Sequence, residues 1–148
     1  MIEYRLANLS DFDQVLEIEN SCFKEPYKKE DLEYEFKENP VNKIIVAVDG
    51  EKVVGFVDFL ITFNSSTIMQ IAVREEYRRK GIAKELLEQM TKSFPKEIDD
   101  VVETITLEVR SSNLAAQGLY KAAGYEVITV KKHYYKDGED AVYMLKRL

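Results

Sequence analysis

Cysteine and histidine are almost missing from this chain. Cys22 stands alone, so no internal disulfide can form, and a metal site would have to be built from other ligands. Its apolar helical surroundings suit a buried, inert thiol. His133 is the one histidine. Its setting suits a solvated loop, although an imidazole can titrate near neutrality. Long apolar runs are missing too. The longest, residues 53–63, is interrupted by Asp58 and falls short of the roughly 20 residues that a membrane-spanning helix needs. The opening Met1-Ile2-Glu3-Tyr4-Arg5-Leu6 has no apolar signal core. These absences point to the cytoplasm, with no membrane partner. Positive charge is in deficit as well: the net charge is −6. That argues against a direct nucleic-acid binder and suits a basic partner. No repeat or low-complexity segment is visible.

What is present fits one globular domain with one core: 148 residues, 45% apolar and 32% charged. Ile2, Tyr4 and Leu6 alternate as a strand. Ser10, followed by Asp11 and Asp13, starts a helix through Phe12, Val15, Leu16, Ile18 and Cys22. Pro26 breaks it. A second helix follows, with Leu32, Tyr34 and Phe36 among acidic residues, and Asn39-Pro40 ends it. Residues 43–48 form a strand, Asp49-Gly50 a hairpin turn and 53–63 the next strand. A turn at Asn64-Ser65-Ser66 leads into a strand over 67–73. Residues 101–109 form another strand, with Ile105, Leu107 and Val109 on one face and Thr104, Thr106, Glu108 and Arg110 on the other. Asn113 caps a helix over 114–123, and Gly124 stands at its C-terminal cap. Strands over 125–130 and 141–145 flank a polar, aromatic-bearing loop. This order describes an α+β fold on a mixed sheet.

Between the strand ending at Val73 and the helix beginning after Gly81 lies a charged turn, residues 74–80, which cannot be buried as a block. Arg78, Arg79 and Lys80 precede the helix and Lys84 follows in its first turn. Cations there oppose the helix dipole, so the arrangement suits a bound anion, a phosphate or pyrophosphate. A basic turn with a tolerated glycine is the plainer reading. The Walker pattern and the dinucleotide fingerprint are both missing.

Arg78-x-x-Gly81-x-Ala83 resembles the acyl-CoA loop of the GNAT superfamily of N-acetyltransferases. Leu107-Glu108-Val109-Arg110-Ser111-Ser112-Asn113, followed by Leu119-Tyr120 and Gly124-Tyr125, resembles the second conserved block of its N-terminal acetyltransferases. Within that group it is most like the ribosomal-protein-alanine N-acetyltransferases, the RimI group. His133-Tyr134-Tyr135 with Asp137-Gly138-Glu139-Asp140-Ala141 is similar to their closing segment. The resemblance covers nearly the whole chain. It implies a GNAT fold over residues 1–148: a single α+β domain with a mixed, mostly antiparallel twisted sheet of six to seven strands and about four helices. Two departures stand out. Tyr27 replaces the usual tryptophan of the acceptor loop, which Lys24-Glu25 lengthens, and Ala83 replaces the last glycine of the acyl-CoA loop.

The resemblance also implies direct acetyl transfer from acetyl-CoA, as co-substrate and without a metal, to an amine. Arg78, Arg79, Lys80, Gly81, Ile82, Ala83 and Lys84 would cradle the pyrophosphate. Ile71, Ala72 and Val73 would pair with the pantetheine arm, and a backbone N–H near Val73 would meet the oxyanion. Glu108 would take the amine's proton; by its residues alone it is a solvated strand glutamate. Tyr120 would protonate the thiolate; by its residues alone it is a core aromatic. Asn113 is a helix cap and, by resemblance, also a contact to the CoA arm. Tyr27, Tyr134 and Tyr135 would hold the acceptor. That acceptor is expected to be the N-terminal tail of a ribosomal or other protein, and otherwise a polyamine, amino acid or antibiotic. The enzyme would be a monomer or weak dimer.

Overall fold

The computed structural model describes residues 1–38, 41–96 and 101–148. Among these, seven strands and four α-helices follow the expected order. They are β1 (Ile2–Leu6), α1 (Phe12–Cys22), α2 (Lys29–Lys37), β2 (Asn42–Asp49), β3 (Lys52–Thr62), β4 (Ser65–Val73), α3 (Ile82–Lys92), β5 (Thr104–Arg110), α4 (Leu114–Ala122), β6 (Glu126–Lys131) and β7 (Ala141–Arg147). The strand order is β1-β2-β3-β4-β5-β7-β6. β5 runs parallel to β4, while the β1–β2, β2–β3, β5–β7 and β6–β7 pairs are antiparallel. This is an α+β fold on a mostly antiparallel sheet. No helix among the described residues is long and apolar enough to cross a membrane.

The chain forms two compact units, Met1–Leu60 with Met69–Phe94, and Ile61–Ile68 with Pro95–Leu148. In the first, the helical segment starts earlier than expected. Ser10, the expected start, does not cap α1: its N–H donates to Asn8 Oδ1 at 3.0 Å, and Asp11 beside it is held by the Arg5 guanidinium at 2.7 and 3.0 Å. Asn8 caps a short 3-10 turn over Leu9–Asp11 instead, and that turn leads into α1. Val15, Ile18, Leu32, Ile44, Val46 and Phe56 then bury one face of α1, α2 and the sheet. Each large apolar side chain buried this way contributes about 1.5–3 kcal/mol. Tyr34, expected among the apolar set, is exposed. Lys37 is the last residue of α2, and the expected break at Asn39-Pro40 lies outside the described residues.

β3 carries a bulge. Ala47 pairs with Gly55 and Val48 with Val53, which leaves Val54 as the extra residue. Beside it, Gly55 is required by a close approach: a Cβ there would lie 2.9 Å from the Ala72 carbonyl oxygen and 3.2 Å from a Val73 methyl.

In the second unit, Ile105, Leu107 and Val109 are buried and their neighbours half-buried, as the alternation on β5 requires. Several boundaries differ from expectation, β7 among them, which runs on to Arg147. The turn falls at Phe63-Asn64, with Phe63 in a left-handed conformation, so β4 starts at Ser65. β5 starts at Thr104, and Lys131 ends β6 rather than opening the loop. Asn113 accepts from the Ala116 N–H at 3.1 Å, the cap its position predicts.

Gly55→Ala is expected to destabilise the fold by about 1–3 kcal/mol, the usual range for overpacking. Urea unfolding checks this: an unchanged midpoint would contradict the close approach.

Candidate active site

In the first unit, β4 delivers the chain to a loop pinned at its root. The Arg74 N–H donates to the Val54 carbonyl at 2.8 Å, and its Nε donates to the Val53 carbonyl at 2.7 Å. Its guanidinium also pairs with Glu17. Arg74 is therefore turned inward, 11% exposed at its side chain, although the charge block of 74–80 reads as solvated. A 3-10 turn over Glu75–Tyr77 follows, with the Tyr77 hydroxyl donating to Asp49 at 2.6 Å. The ammonium of Lys80 lies 5.2 Å from the Tyr77 ring centroid, a cation–π distance. Arg78 Nε donates to the Val73 carbonyl at 3.0 Å.

Arg79 and Gly81 both have positive φ, 64° and 80°. Gly81 is the N-cap of α3, and no side chain among the described residues caps that helix. Ile82 is buried, so only its backbone can face outward, while Arg79, Lys80 and Lys84 are exposed. An uncapped helix start with cations around it is electrostatically suited to an anion. Ala72 and Val73 are buried and Ile71 half-buried. Cys22 is half-buried rather than buried: its Sγ lies 3.5 Å from the Arg78 guanidinium, because α1 ends where that arginine folds back.

Tyr27 belongs to the same unit. Its N–H donates to Glu19 Oε1 at 2.8 Å, and the Gln70 amide donates to the same oxygen at 2.7 Å. Glu19 and Asp58 are wholly buried. Among the described residues, neither oxygen of Asp58 has a hydrogen-bond partner, and Glu19 Oε2 also lacks one. An unmet buried polar group costs about 1–3 kcal/mol. Burial first, then the charges of Glu35 and Glu19, push the Asp58 carboxyl up to about 8. The Asn42 amide lies near enough to pull weakly the other way without completing a hydrogen bond. Burial also raises the Tyr27 phenol, and the surrounding carboxylates add to it.

In the second unit, Glu108 projects from the half-buried face of β5, its side chain 20% exposed. Lys131 Nζ donates to Glu108 Oε1 at 2.7 Å. The same ammonium sits 4.5 Å from the Tyr143 ring and 5.5 Å from that of Tyr134. That hydrogen bond to Glu108 holds Lys131 above its ordinary pKa.

Two residues on, Arg110 anchors the tyrosine loop. It bonds Asp137 at 2.8 Å and Glu139 at 3.0 Å, and its guanidinium stacks 4.1 Å from the Tyr135 ring. Glu139 also accepts from the Ser112 N–H at 2.9 Å. Bonds from Ser112 and Arg110 push its carboxyl down to about 2. Tyr134 and Tyr135 meet edge to face at 5.0 Å. Burial pushes the Tyr135 phenol up to about 12. Tyr120 is buried against Tyr125, 5.6 Å between centroids. Burial raises its phenol, with smaller contributions from Tyr125 and Tyr135, so it stays protonated at neutral pH. No group of three or more potential metal ligands occurs among the described residues.

The family model described as the acetyltransferase (GNAT) family matches residues 12–125. The chain belongs to this family. A Sulfurisphaera tokodaii protein named N-alpha-acetyltransferase is 38% identical to this GNAT chain, across 96% of it and 92% of its own length. A Bacillus subtilis protein, named as a candidate ribosomal-protein-bS18-alanine N-acetyltransferase, is 36% identical across 95% and 91%. The crystal structure of the ribosomal-protein-S18-alanine N-acetyltransferase from Escherichia coli matches with a TM-score of 0.85 at 26% identity, covering 99% of this chain and 94% of that one. The GNAT chain is thus an N-acetyltransferase with acetyl-CoA as its co-substrate.

Of the expected site residues in this GNAT chain, the first unit holds Tyr27 and those from Ile71 to Lys84. The second holds Glu108, Asn113, Tyr120, Tyr134 and Tyr135. Sequence reasoning missed Lys131 and Arg110 as partners of Glu108 and the tyrosine loop. It also missed Glu19 and Asp58. The one signal available was a lone aspartate inside an otherwise apolar strand.

Folded Asp58 keeps its proton up to about pH 8, whereas an unfolded aspartate titrates near ~3.9. The folded state therefore binds more protons between these values, and stability falls as pH rises from about 4 to 8. Asp58→Asn is expected to flatten that decline, by up to a few kcal/mol. Urea midpoints at pH 5 and pH 8 decide it; an equal slope in both proteins would show that Asp58 titrates normally.

Proposed function

We propose that this GNAT enzyme acetylates the N-terminal α-amine of a protein, in the cytoplasm, using residues 1–148 as one catalytic domain. The observation that carries this reading is the tyrosine loop pinned beside Glu108. Lys131 touches both the Glu108 carboxylate and the Tyr134 ring, and Arg110 fixes Tyr135 from the same strand. Two tyrosines held rigidly near a carboxylate suit an extended peptide backbone, which needs a groove. The relatives named for N-alpha and ribosomal-protein-alanine acetylation support the same acceptor class, with the N-terminal tail of a ribosomal protein as its leading member.

The proposed roles follow the chemistry. The uncapped start of α3, with Arg78, Arg79, Lys80, Gly81, Ile82, Ala83 and Lys84, receives the pyrophosphate of acetyl-CoA. Ile71, Ala72 and Val73 take the pantetheine arm, and Asn113 contacts it. Glu108 accepts a proton from the incoming ammonium, directly or through one water. The neutral nitrogen then attacks the thioester carbonyl carbon. The new C–N bond forms, the oxyanion is met by a backbone N–H near Val73, and collapse expels the CoA thiolate. Tyr120, kept protonated by its burial, gives a proton to that sulfur, and the second proton of the acetylated nitrogen, lost as the amide forms, restores the phenol directly or through water. Tyr27, Tyr134 and Tyr135 hold the acceptor.

Glu108→Gln and Tyr120→Phe are each expected to lower kcat about a hundredfold or more, the usual reach of general acid–base catalysis, with CoA affinity nearly intact. Wild-type turnover in the double variant would remove the mechanism. Gly81→Glu is expected to abolish CoA binding by placing a carboxylate on the anion site and a side chain at φ 80°. Calorimetry showing undiminished affinity would refute the cradle. The acceptor class is tested by offering N-terminal peptides and free amines in parallel; acetylation of polyamines or amino acids alone would overturn it.

A further inference from the structure

Among the described residues, the buried side-chain atoms without a hydrogen-bond partner are all acceptor oxygens: Glu19 Oε2, Asn42 Oδ1, both of Asp58, and Gln70 Oε1. They come from α1, β2, β3 and β4, all within the first unit. They form one cluster. The Gln70 amide reaches Glu19. The Asp58 carboxyl feels the charges of Glu19 and Glu35, with the Asn42 amide beside it. The Asn42 amide in turn donates to the Glu35 carbonyl at 3.3 Å.

At neutral pH the Asp58 carboxyl carries the one proton that this set of open oxygens can donate, and the remaining acceptors suit a cation bearing several N–H bonds. A metal fits poorly, since no group of three ligating side chains occurs here and two of the open oxygens belong to amides. The cluster borders the expected acceptor residue. The Tyr27 phenol feels Asp58, Glu35 and Glu19, and its N–H is tied to Glu19. Glu35 and Asn42 also line a cleft of about 200 Å³ together with Lys43, while Glu19 and Asp58 lie wholly buried behind it.

We infer that the cluster around Asp58 and Glu19 is a specificity pocket for a second cationic nitrogen of the acceptor, separate from the amine that is acetylated. This rests on the proposed acceptor site at Tyr27. The nitrogen is an ammonium or guanidinium, carried either by a basic residue close behind a peptide N-terminus or by the far end of a polyamine. Its entry displaces the proton from Asp58. The groups that act on that carboxyl are Glu19 from α1, Tyr27 from the loop after it, Glu35 from α2 and Asn42 from β2. None of these side chains is itself a cation, and a ligand can supply one.

The test uses the full chain with saturating acetyl-CoA. Peptides carry lysine or norleucine at the second or third position, and spermidine is compared with butylamine. The readout is the ratio of kcat/KM for the cationic over the neutral acceptor, so a general loss of folding or turnover cancels. Wild type is expected to prefer the cationic member about tenfold or more in at least one series. Asp58→Asn and Glu19→Gln are each expected to bring the ratio toward one. In wild type alone, calorimetry in buffers of different ionisation enthalpy is expected to show proton release with the lysine peptide beyond that with norleucine. A wild-type ratio within twofold of one in every series overturns the inference. So does an unchanged ratio in both variants, which would leave the oxygens to buried water. If spermidine beats butylamine while no peptide reacts, the pocket stands and the N-terminal reading falls. If peptides react without cationic preference, the N-terminal reading stands and the pocket falls.

Discussion

Arg74 bonds two consecutive carbonyls of β3, Val53 and Val54, and much of the first unit follows from that. Consecutive carbonyls of a regular strand point to opposite sides. The extra residue at Val54 brings both within reach of one partner. β4 can approach there because residue 55 has no side chain. With its root fixed by main chain, side chain and Glu17, the loop enters α3 through two left-handed residues, Arg79 and Gly81. The open helix start is thus a product of strand geometry upstream, and the basic residues only colour it.

The second unit uses an arginine in the same way. Arg110 ends β5 and gathers Asp137, Glu139 and Tyr135 onto it. Glu139 continues the chain of bonds to the Ser112 backbone, just ahead of the Asn113 cap of α4. A loop rich in polar residues is thereby ordered by charge-assisted bonds and not by apolar burial. Tyr134 stays exposed while Tyr135 is half-buried against the Arg110 guanidinium.

Most of the architecture was legible because it is local. Alternation marked β1 and β5, Asp49-Gly50 marked the β2–β3 hairpin one residue ahead of its Gly50-Glu51 turn, and Asn113 announced α4. The family blocks around Gly81 and Glu108 were legible for a different reason: they are chemistry written at short spacing. What stayed hidden was pairing at a distance. Lys131 lies 23 residues from Glu108, and nothing in either neighbourhood announces the other. Arg74 read as one charge in a solvated block, yet its partners are 21 and 57 residues away. Glu19 sits among Glu17 and Asn20 on a charged helix, and only its contacts with Tyr27 and Gln70 distinguish it. The cap at Asn8 stayed hidden because Ser10 reads as the helix start, while the Arg5–Asp11 pair that braces the Asn8 turn joins separate elements.

The bulge at Val54 also sets a parity. Side chains on a strand alternate between faces, so one extra residue exchanges the faces of everything that follows. Phe56 joins the α1–α2 core and Phe59, of the other parity, meets Phe94. Asp58 shares the parity of Phe56, which turns it toward Glu19 and Glu35. Had β3 been one residue shorter at that point, the phenylalanines would trade sides and the aspartate would leave the carboxylates. A single inserted residue, with no chemistry of its own, decides which layer of the protein is acidic inside.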